Sequence, residues 1–265
     1  MRIVRYLLFV MILTLGTYGC ANLQPNRDIL YQASTIDALL VGVYDGEMAF
    51  RQLKRHGDFG LGTFNNLDGE MIALDGQFYQ VKVNGIAYPV QDSMKTPFSV
   101  VTFFEPDESF TVDARLNYEQ LKTYIDERIP TENIFYALKI KGVFKYIKTR
   151  SVPAQKKPYP HLVDVVKHQS VFEFHDVRGT IVGFRTPGFV QGINVPGYHL
   201  HFITEDRKAG GHVLACEMQH VGVELDFTSE LYVVLPKGAA FTTADLTEER
   251  QGELDMVEKD KDTHH

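Results

Sequence analysis

The feature that most constrains this chain is a group of three histidines in the segment GYHLHFITEDRKAGGH, residues 197–212. His199 and His201 are separated by one residue, so a strand here would point both imidazoles to the same face. The EDRKAGG stretch, with its two glycines, predicts a turn, and the HVLACEM run predicts a returning strand that begins at His212. The hairpin would therefore bring three imidazoles together.

Three imidazoles from one hairpin form a ligand set that suits zinc or a similar divalent metal. Catalytic zinc sites typically have three protein ligands and leave a position open to water or substrate. The alternative is a surface strand that happens to carry histidines. The third histidine, His212, follows directly on the glycine turn and favours the metal site over that alternative.

An export signal precedes the folded part of the chain. The first residues include two arginines, residues 6–15 are apolar but too short to span a bilayer, and small residues precede Cys20. We predict a signal peptide over residues 1–19 and a polar linker over residues 20–33. The glycine before Cys20 is similar to a bacterial lipoprotein cleavage site. The protein is therefore expected to be exported, as a periplasmic, lipid-anchored or secreted protein; an uncleaved anchor is a further alternative.

Charge and cysteine content limit the partners and the chemistry. Removal of residues 1–19 takes away two positive charges and moves the formal net charge from −7 to −9. A duplex nucleic-acid ligand is disfavoured, because such binding depends largely on basic side chains that meet phosphates. The two cysteines are Cys20 and Cys216, so no intramolecular disulfide can form if Cys20 is lipidated or removed. Packing must then hold the fold together.

The hydrophobic pattern predicts an α+β fold that is rich in strands. Residues 59–88 alternate short apolar runs with turn sequences, which is typical of a meander of short strands. Residues 45–56 and 116–128 carry apolar residues at helical spacing, and each is expected to form a helix. Residues 133–149 alternate apolar and basic side chains over a long distance and predict a strand or a bent pair of strands.

A proline-rich stretch predicts a division of the chain into two halves. Residues 152–160 contain three prolines, which prevents regular strand pairing there. We therefore divide a domain over residues 34–265 into two subdomains, roughly 34–150 and 151–265. Within these halves Glu70 stands at a strand start and Arg150 at a strand end. Taken alone, both are most simply solvated charges.

Three long motifs resemble the bacterial alpha-acetolactate decarboxylase family. They are GDFGLGTFNNLDGEM at residues 57–71, FYALKIKGVFKYIKTRSVP at residues 135–153 and GYHLHFITEDRKAGGHV at residues 197–213. Their order and spacing agree with the family, and the likeness extends from about residue 34 to the tail. The motifs are long and specific, unlike an isolated pair of histidines.

The resemblance implies a zinc enzyme that converts a small molecule, 2-acetolactate, to acetoin and carbon dioxide. It also implies mixed sheets in two closely packed halves and a homodimer. By motif match it implies metal ligands at His199, His201 and His212, Thr63 close to the substrate, and Glu70 and Arg150 in the site. A C-terminal acidic residue of the family falls on Glu258, with Glu253 as a rival.

The implied chemistry gives each of these residue types a task. Acetolactate can chelate a metal through its carbonyl and hydroxyl oxygens, and a Lewis acid stabilises the enediolate that forms when carbon dioxide leaves. Arg150 would orient the anionic substrate and stabilise charge, because its planar fork matches a carboxylate. Glu70 or Glu258 would handle the proton that the enediolate requires.

Two other classes of protein fit parts of the sequence. In a cupin, two histidines and Glu205 would bind the metal and His212 would not, but the second cupin motif should end in a histidine where Phe241 lies. A non-catalytic metal-binding lipoprotein would use the same imidazoles to hold zinc. That protein would need neither Arg150 nor Glu70.

Overall fold

The computed structural model describes residues 27–258 of the chain. The predicted signal peptide over residues 1–19 and the lipidation site at Cys20 lie outside the described residues. None of the helices in the described part is long and apolar enough to cross a membrane.

The described part is dominated by strands. The strands are β1 (Ile29–Ala33), β2 (Met48–Ala49), β3 (Phe59–Thr63), β4 (Glu70–Leu74), β5 (Gln77–Val81), β6 (Ala87–Pro89), β7 (Lys95–Thr96), β8 (Ser99–Thr102), β9 (Glu108–Val112), β10 (Leu116–Asn117), β11 (Phe135–Ser151), β12 (Ser170–Thr186), β13 (Gly197–Thr204), β14 (Gly210–Met218), β15 (Val221–Thr228) and β16 (Glu230–Val234). The helices are α1 (Ile36–Leu40), α2 (Phe50–Leu53), α3 (Tyr118–Asp126), α4 (Leu162–Val165), α5 (Ala239–Thr242) and α6 (Gln251–Glu258). Short 3-10 turns cover Asn65–Leu67, Val166–His168 and Gly188–Val190.

Two seven-stranded sheets carry the fold. The first has the strand order β16-β1-β8-β3-β4-β5-β6 and is mixed, because β1 and β16 run parallel while its other pairs are antiparallel. The second is antiparallel, with the order β10-β14-β13-β12-β11-β15-β9. In addition β14 pairs with β11, so β11 to β14 form a closed circuit of pairings.

The two sheets share one core. The largest cluster of buried apolar side chains takes Leu61 and Ile72 from the first sheet, and Ala137 and Phe184 from the second. Burial of this apolar surface between the sheets is the main stabilising contribution that holds the halves together. The prediction of a β-rich α+β fold, with mixed sheets in two closely packed halves, is confirmed.

Several predicted elements have the expected type. The meander over residues 59–88 is present as β3 to β6. Of the two alternatives for residues 133–149, a strand or a bent pair of strands, the structure has a single 17-residue strand, β11. The helix predicted over residues 116–128 is α3. It begins later than expected, because the side chain of Asn117 accepts the backbone N–H of Gln120 and caps the helix there.

The helix predicted over residues 45–56 is wrong for most of its length. Only α2 is helical, while β2 precedes it and pairs with β7. At Gly46 a β-carbon would lie 1.8 Å from the carbonyl oxygen of Thr96. The backbone approach there is possible only for glycine, so tertiary pairing sets the local conformation instead of the apolar spacing.

The linker predicted over residues 20–33 is wrong for its last five residues. These form β1, whose residues Leu30 to Ala33 are buried between β16 and β8. The chain division at residue 150 also does not coincide with the sheets. Strand β11, which lies before that boundary almost entirely, belongs to the second sheet, and β16 belongs to the first.

Candidate active site

Three imidazoles meet in the second sheet. His199 and His201 lie on β13 and face the same side, while His212 lies on β14 directly opposite His201 in the strand register. The ring centroids are 5.1 to 5.3 Å apart, and one nitrogen from each ring lies within 4.8 Å of the others. All three side chains are buried. The hairpin predicted from the sequence is confirmed.

A glycine permits the strand contact that completes the cluster. Strand β14 approaches β11 so closely that a β-carbon on Gly211 would lie 2.4 Å from the carbonyl oxygen of Arg150. The φ angle of Gly211 is +142°, a conformation that other residues rarely adopt. His212 consequently pairs with Arg150 across the two strands, which places the guanidinium beside the imidazoles.

Burial and a nearby cation keep the imidazoles neutral. Desolvation lowers the pKa of His199 to about 3, with a further contribution from Arg150. Desolvation likewise holds the pKa values of His201 and His212 well below their ordinary range. Neutral imidazole is the form that binds a metal.

Hydrogen bonds orient two of the rings. The Nδ1–H of His201 donates to the carbonyl oxygen of Met71 at 2.8 Å, because a carbonyl can only accept. The proton is thus on Nδ1, and the lone pair is on Nε2. His212 makes a hydrogen bond to the backbone of Glu258. Such bonds to the far side of a ligating histidine are common at metal sites, since they fix the ring and its tautomer.

The donor set fits a divalent metal ion. Nδ1 of His199 and Nε2 of His201 are fully buried and have no hydrogen-bond partner in the protein. An unpaired buried polar atom costs about 1–3 kcal/mol, so two such atoms in one cluster indicate a ligand that satisfies them. Three neutral nitrogen donors match zinc or another imidazole-binding metal.

Glu70 and Arg150 form a buried ion pair next to the histidines. Nη1 of Arg150 donates to Oε1 of Glu70 at 3.1 Å, and both side chains are almost fully buried. The other carboxylate oxygen lies 3.8 Å from Nε2 of His201. Burial raises the pKa of Glu70 to about 7, although Arg150 opposes the shift. Neither residue is the solvated charge that each resembles in isolation.

The C-terminal helix closes the site with a second carboxyl group. Oε2 of Glu258, the last residue of α6, lies 3.6 Å from Nε2 of His212 and 3.9 Å from Nε2 of His199. Burial raises its pKa to about 7, with Arg150 acting in the opposite direction. Nη2 of Arg150 donates to the carbonyl oxygen of Val257 at 3.3 Å and ties the helix to the site.

The rival carboxylate Glu253 points elsewhere. It accepts a hydrogen bond from Arg250 at 2.8 Å and lies 3.7 Å from Nδ1 of His161, and it does not line the site. Glu205, the ligand of the cupin alternative, is exposed on the turn between β13 and β14 and lies outside the histidine cluster. The structure thus places His212 and Glu258 in the site, and it places their alternatives, Glu205 and Glu253, outside it.

Thr63 and a set of apolar side chains complete a small cavity of about 30 Å³. The hydroxyl of Thr63 donates to the carbonyl oxygen of Gly69 at 2.7 Å, in the turn that leads to Glu70. Sequence reasoning missed the apolar wall, which consists of Ile36, Leu39, Leu67, Phe98, Val152, Leu162 and Val257. No local pattern distinguishes these positions from the rest of the core.

Comparisons with known proteins agree on one family. Residues 30–248 match the family model described as alpha-acetolactate decarboxylase. An alpha-acetolactate decarboxylase from Methanosarcina mazei is 56% identical over 243 residues, which is 90% of this chain and 84% of the relative. The enzyme of that name from Bacillus subtilis is 46% identical, over 84% of this chain and 87% of the relative. A crystal structure of alpha-acetolactate decarboxylase from B. subtilis superimposes with a TM-score of 0.86 at 43% identity, covering 88% of this chain and all of that one.

Proposed function

Because the chain belongs to the alpha-acetolactate decarboxylase family, whose members are carboxy-lyases, we propose that it converts 2-acetolactate to acetoin and carbon dioxide. The observation that carries the proposal is the meeting, in one buried cavity, of three neutral imidazoles, one guanidinium and two carboxyl groups. Neither rival reading requires Arg150 or Glu70 in that cavity.

We propose that His199, His201 and His212 hold a zinc ion. Zinc accepts three nitrogen ligands and keeps further positions open, and as a Lewis acid it polarises carbonyl and hydroxyl oxygens such as those of acetolactate. The proposal is supported by the two unpartnered ring nitrogens and by the lowered pKa values of the imidazoles.

Arg150 would bind and orient the substrate. Its guanidinium already has one carboxylate partner, Glu70, and one carbonyl partner, while its buried Nε has none. A planar cation of this kind pairs well with the carboxylate of acetolactate or with the negative charge that develops during the reaction. Burial strengthens the interaction because little water screens it.

The reaction needs a proton donor after carbon dioxide has left. The bond between the carboxylate carbon and the hydroxyl-bearing carbon breaks, and its electron pair moves toward the neighbouring carbonyl to give an enediolate. One proton must then be added to carbon to give acetoin. Glu70 and Glu258 each have a pKa of about 7, so each can hold a proton near neutral pH and release it. We propose that one of them is this donor.

The experiment that tests this function uses purified protein and racemic acetolactate. Metal content is measured first, and acetoin formation is then followed before chelation, after chelation and after zinc is returned. We expect stoichiometric zinc, loss of acetoin production on chelation and recovery with zinc. Bound metal without acetoin above the spontaneous rate would contradict the decarboxylase function and favour a metal-binding protein without this activity.

We also propose that the protein acts outside the cytoplasm, in keeping with the export signal predicted over residues 1–19, and that it forms a homodimer. Lipid on Cys20 would tether it to a membrane surface, whereas cleavage without lipid would release it. Mass spectrometry of the mature N-terminus separates these two outcomes, and light scattering measures the oligomeric state. Unprocessed protein found in the cytoplasm would contradict export.

A further inference from the structure

A large groove lies against α6, next to the active-site cavity. Its volume is about 910 Å³, and its α6 wall consists of Gln251, Leu254, Asp255 and Glu258, which share one face of the helix. Glu258 lines both the groove and the small cavity that holds the histidines. Glu258 therefore lies at the boundary between the two spaces.

The groove carries an excess of negative charge besides Glu258. Its carboxylates are Glu119, Asp126, Glu132 and Asp255, against the two cations Lys122 and Arg185. Both cations already have carboxylate partners, since Lys122 lies 2.7 Å from Glu119 and Arg185 lies 2.9 Å from Glu132. Three smaller grooves in the described part of the chain carry at least as many cations as carboxylates.

We propose that this acidic groove is the route by which a divalent metal ion reaches the histidines, and that Glu258 passes the ion from the groove to the imidazoles. The carboxylate lies 3.6 Å from His212 and 3.9 Å from His199. In the same histidine cluster, the buried nitrogens Nδ1 of His199 and Nε2 of His201 lack hydrogen-bond partners in the described part of the chain. The proposal rests on the metal site proposed above.

Simple electrostatics indicates that a cation, rather than the substrate, enters through the acidic groove. A groove of one sign with low-dielectric walls concentrates ions of the opposite sign and raises their association rate. The same field repels acetolactate, which is an anion. A carboxylate oxygen at the inner end can replace water around the ion before the imidazoles, which bind such metals well, take it over.

The test measures metal uptake rather than catalysis. Full-length protein stripped of metal is mixed with Zn²⁺, and the association rate is followed by competition with a fluorescent chelator. The groove variant Glu119→Gln with Asp255→Asn removes two negative charges. The matched control, Asp75→Asn with Asp92→Asn, also removes two negative charges, but from exposed carboxylates that do not line the groove.

We expect the groove variant to take up Zn²⁺ about threefold to tenfold more slowly than the control at low ionic strength. The difference should vanish near 1 M salt, where the Debye length is about 3 Å. The dissociation rate should be similar in both, because the field of the groove acts mainly on the approaching ion. Equal uptake rates at low salt would overturn the proposed route.

Other outcomes separate the route from the metal site itself. If wild-type protein binds no Zn²⁺, the histidine site and the route both fall. If the groove variant also releases Zn²⁺ faster, a disturbance of α6 is tested with Glu119→Lys alone, since Glu119 lies on α3. Slower uptake in that variant with an unchanged dissociation rate supports the route, and unchanged uptake overturns it.

Discussion

Glu70 and Asp226 are both buried carboxyl groups, and burial raises the pKa of each to about 7. Their neighbours differ in sign. Glu70 contacts the guanidinium of Arg150 and lies beside three imidazoles. Asp226 accepts the backbone N–H of Glu105 at 3.1 Å, and the charges that act on it are the carboxylates of Asp28, Glu105 and Asp107.

The difference shows that a raised pKa alone does not mark an active site. Perturbed pKa values cluster at functional sites, but burial produces the same shift wherever a carboxyl group is desolvated. What distinguishes Glu70 is the convergence of imidazoles and a guanidinium on the same cavity. We therefore expect substitutions around Glu70 to change the reaction, and substitution of Asp226 to change only stability.

The largest effect should follow from removal of an imidazole. We expect His212→Ala to lose its bound metal and to produce acetoin at least about a thousandfold more slowly, because Lewis-acid stabilisation supplies several kcal/mol. Metal content and acetoin formation are measured on the same preparation. The matched control is Glu205→Ala, whose carboxylate is exposed on the neighbouring turn. Metal lost from Glu205→Ala but kept by His212→Ala would support the cupin arrangement instead.

The second largest effect should follow from substitution of Arg150, the cation beside Glu70. Arg150→Ala removes the guanidinium that pairs with Glu70; Asp226 has no such cationic partner among the described residues. We expect activity to fall about a hundredfold to a thousandfold, which is the usual cost of losing one electrostatic donor in a buried site. Arg150→Lys keeps the charge but loses the planar fork, so its loss should be smaller. Both variants should retain the metal, which is checked by metal analysis. Unchanged activity in Arg150→Ala would remove the guanidinium from the mechanism.

The carboxyl groups themselves can be compared directly. Glu70→Gln keeps the shape but cannot release a proton, and we expect kcat to fall about a hundredfold, the lower range for loss of a general acid or base. Asp226→Asn is the matched control, and its kcat should stay unchanged. Acetoin formation at saturating substrate gives both values. Equal losses of kcat in the two variants would mean that the burial of the carboxyl group, and not its position beside the imidazoles, decides the effect.

Local sequence predicts the histidine cluster well because its parts are close in the chain. The alternation of His199 and His201 fixes their common face, and a glycine turn returns His212 to the same register. The long strand β11 is equally readable from its alternation. In these cases the residues that specify the structure are neighbours.

The rest of the site depends on contacts between distant segments. Arg150 bonds to Glu70 across 80 positions and to Val257 across 107 positions. Such contacts depend on which strands and helices pack together, and the local residue pattern does not specify this packing. Glu70 and Arg150 were identified as site residues through the resemblance of the long motifs. The same limit explains the missed strand β1, whose partners β8 and β16 lie far along the chain.

The smallest effect concerns Asp226 and the pH dependence of stability. An unfolded aspartate has a pKa of about 4, whereas folded Asp226 has a pKa of about 7. Between these values the folded state holds a proton that the unfolded state has lost, so this group lowers the unfolding free energy as pH rises from about 4 to 7. The slope is at most about 1.4 kcal/mol per pH unit, and it ends above pH 7 because both states are then ionised.

The asparagine in Asp226→Asn cannot ionise, so the variant does not lose unfolding free energy through this group as pH rises. We expect the unfolding free energy of the variant, relative to wild type, to increase between pH 5 and pH 7 and to stay constant above, as measured by urea unfolding of both proteins in the same buffers. All other titrating groups are common to both proteins and cancel. If the two curves run parallel, Asp226 is ionised from pH 5 to pH 7, and burial does not raise its pKa as it raises that of Glu70. The two carboxyl groups would then differ in protonation as well as in their partners.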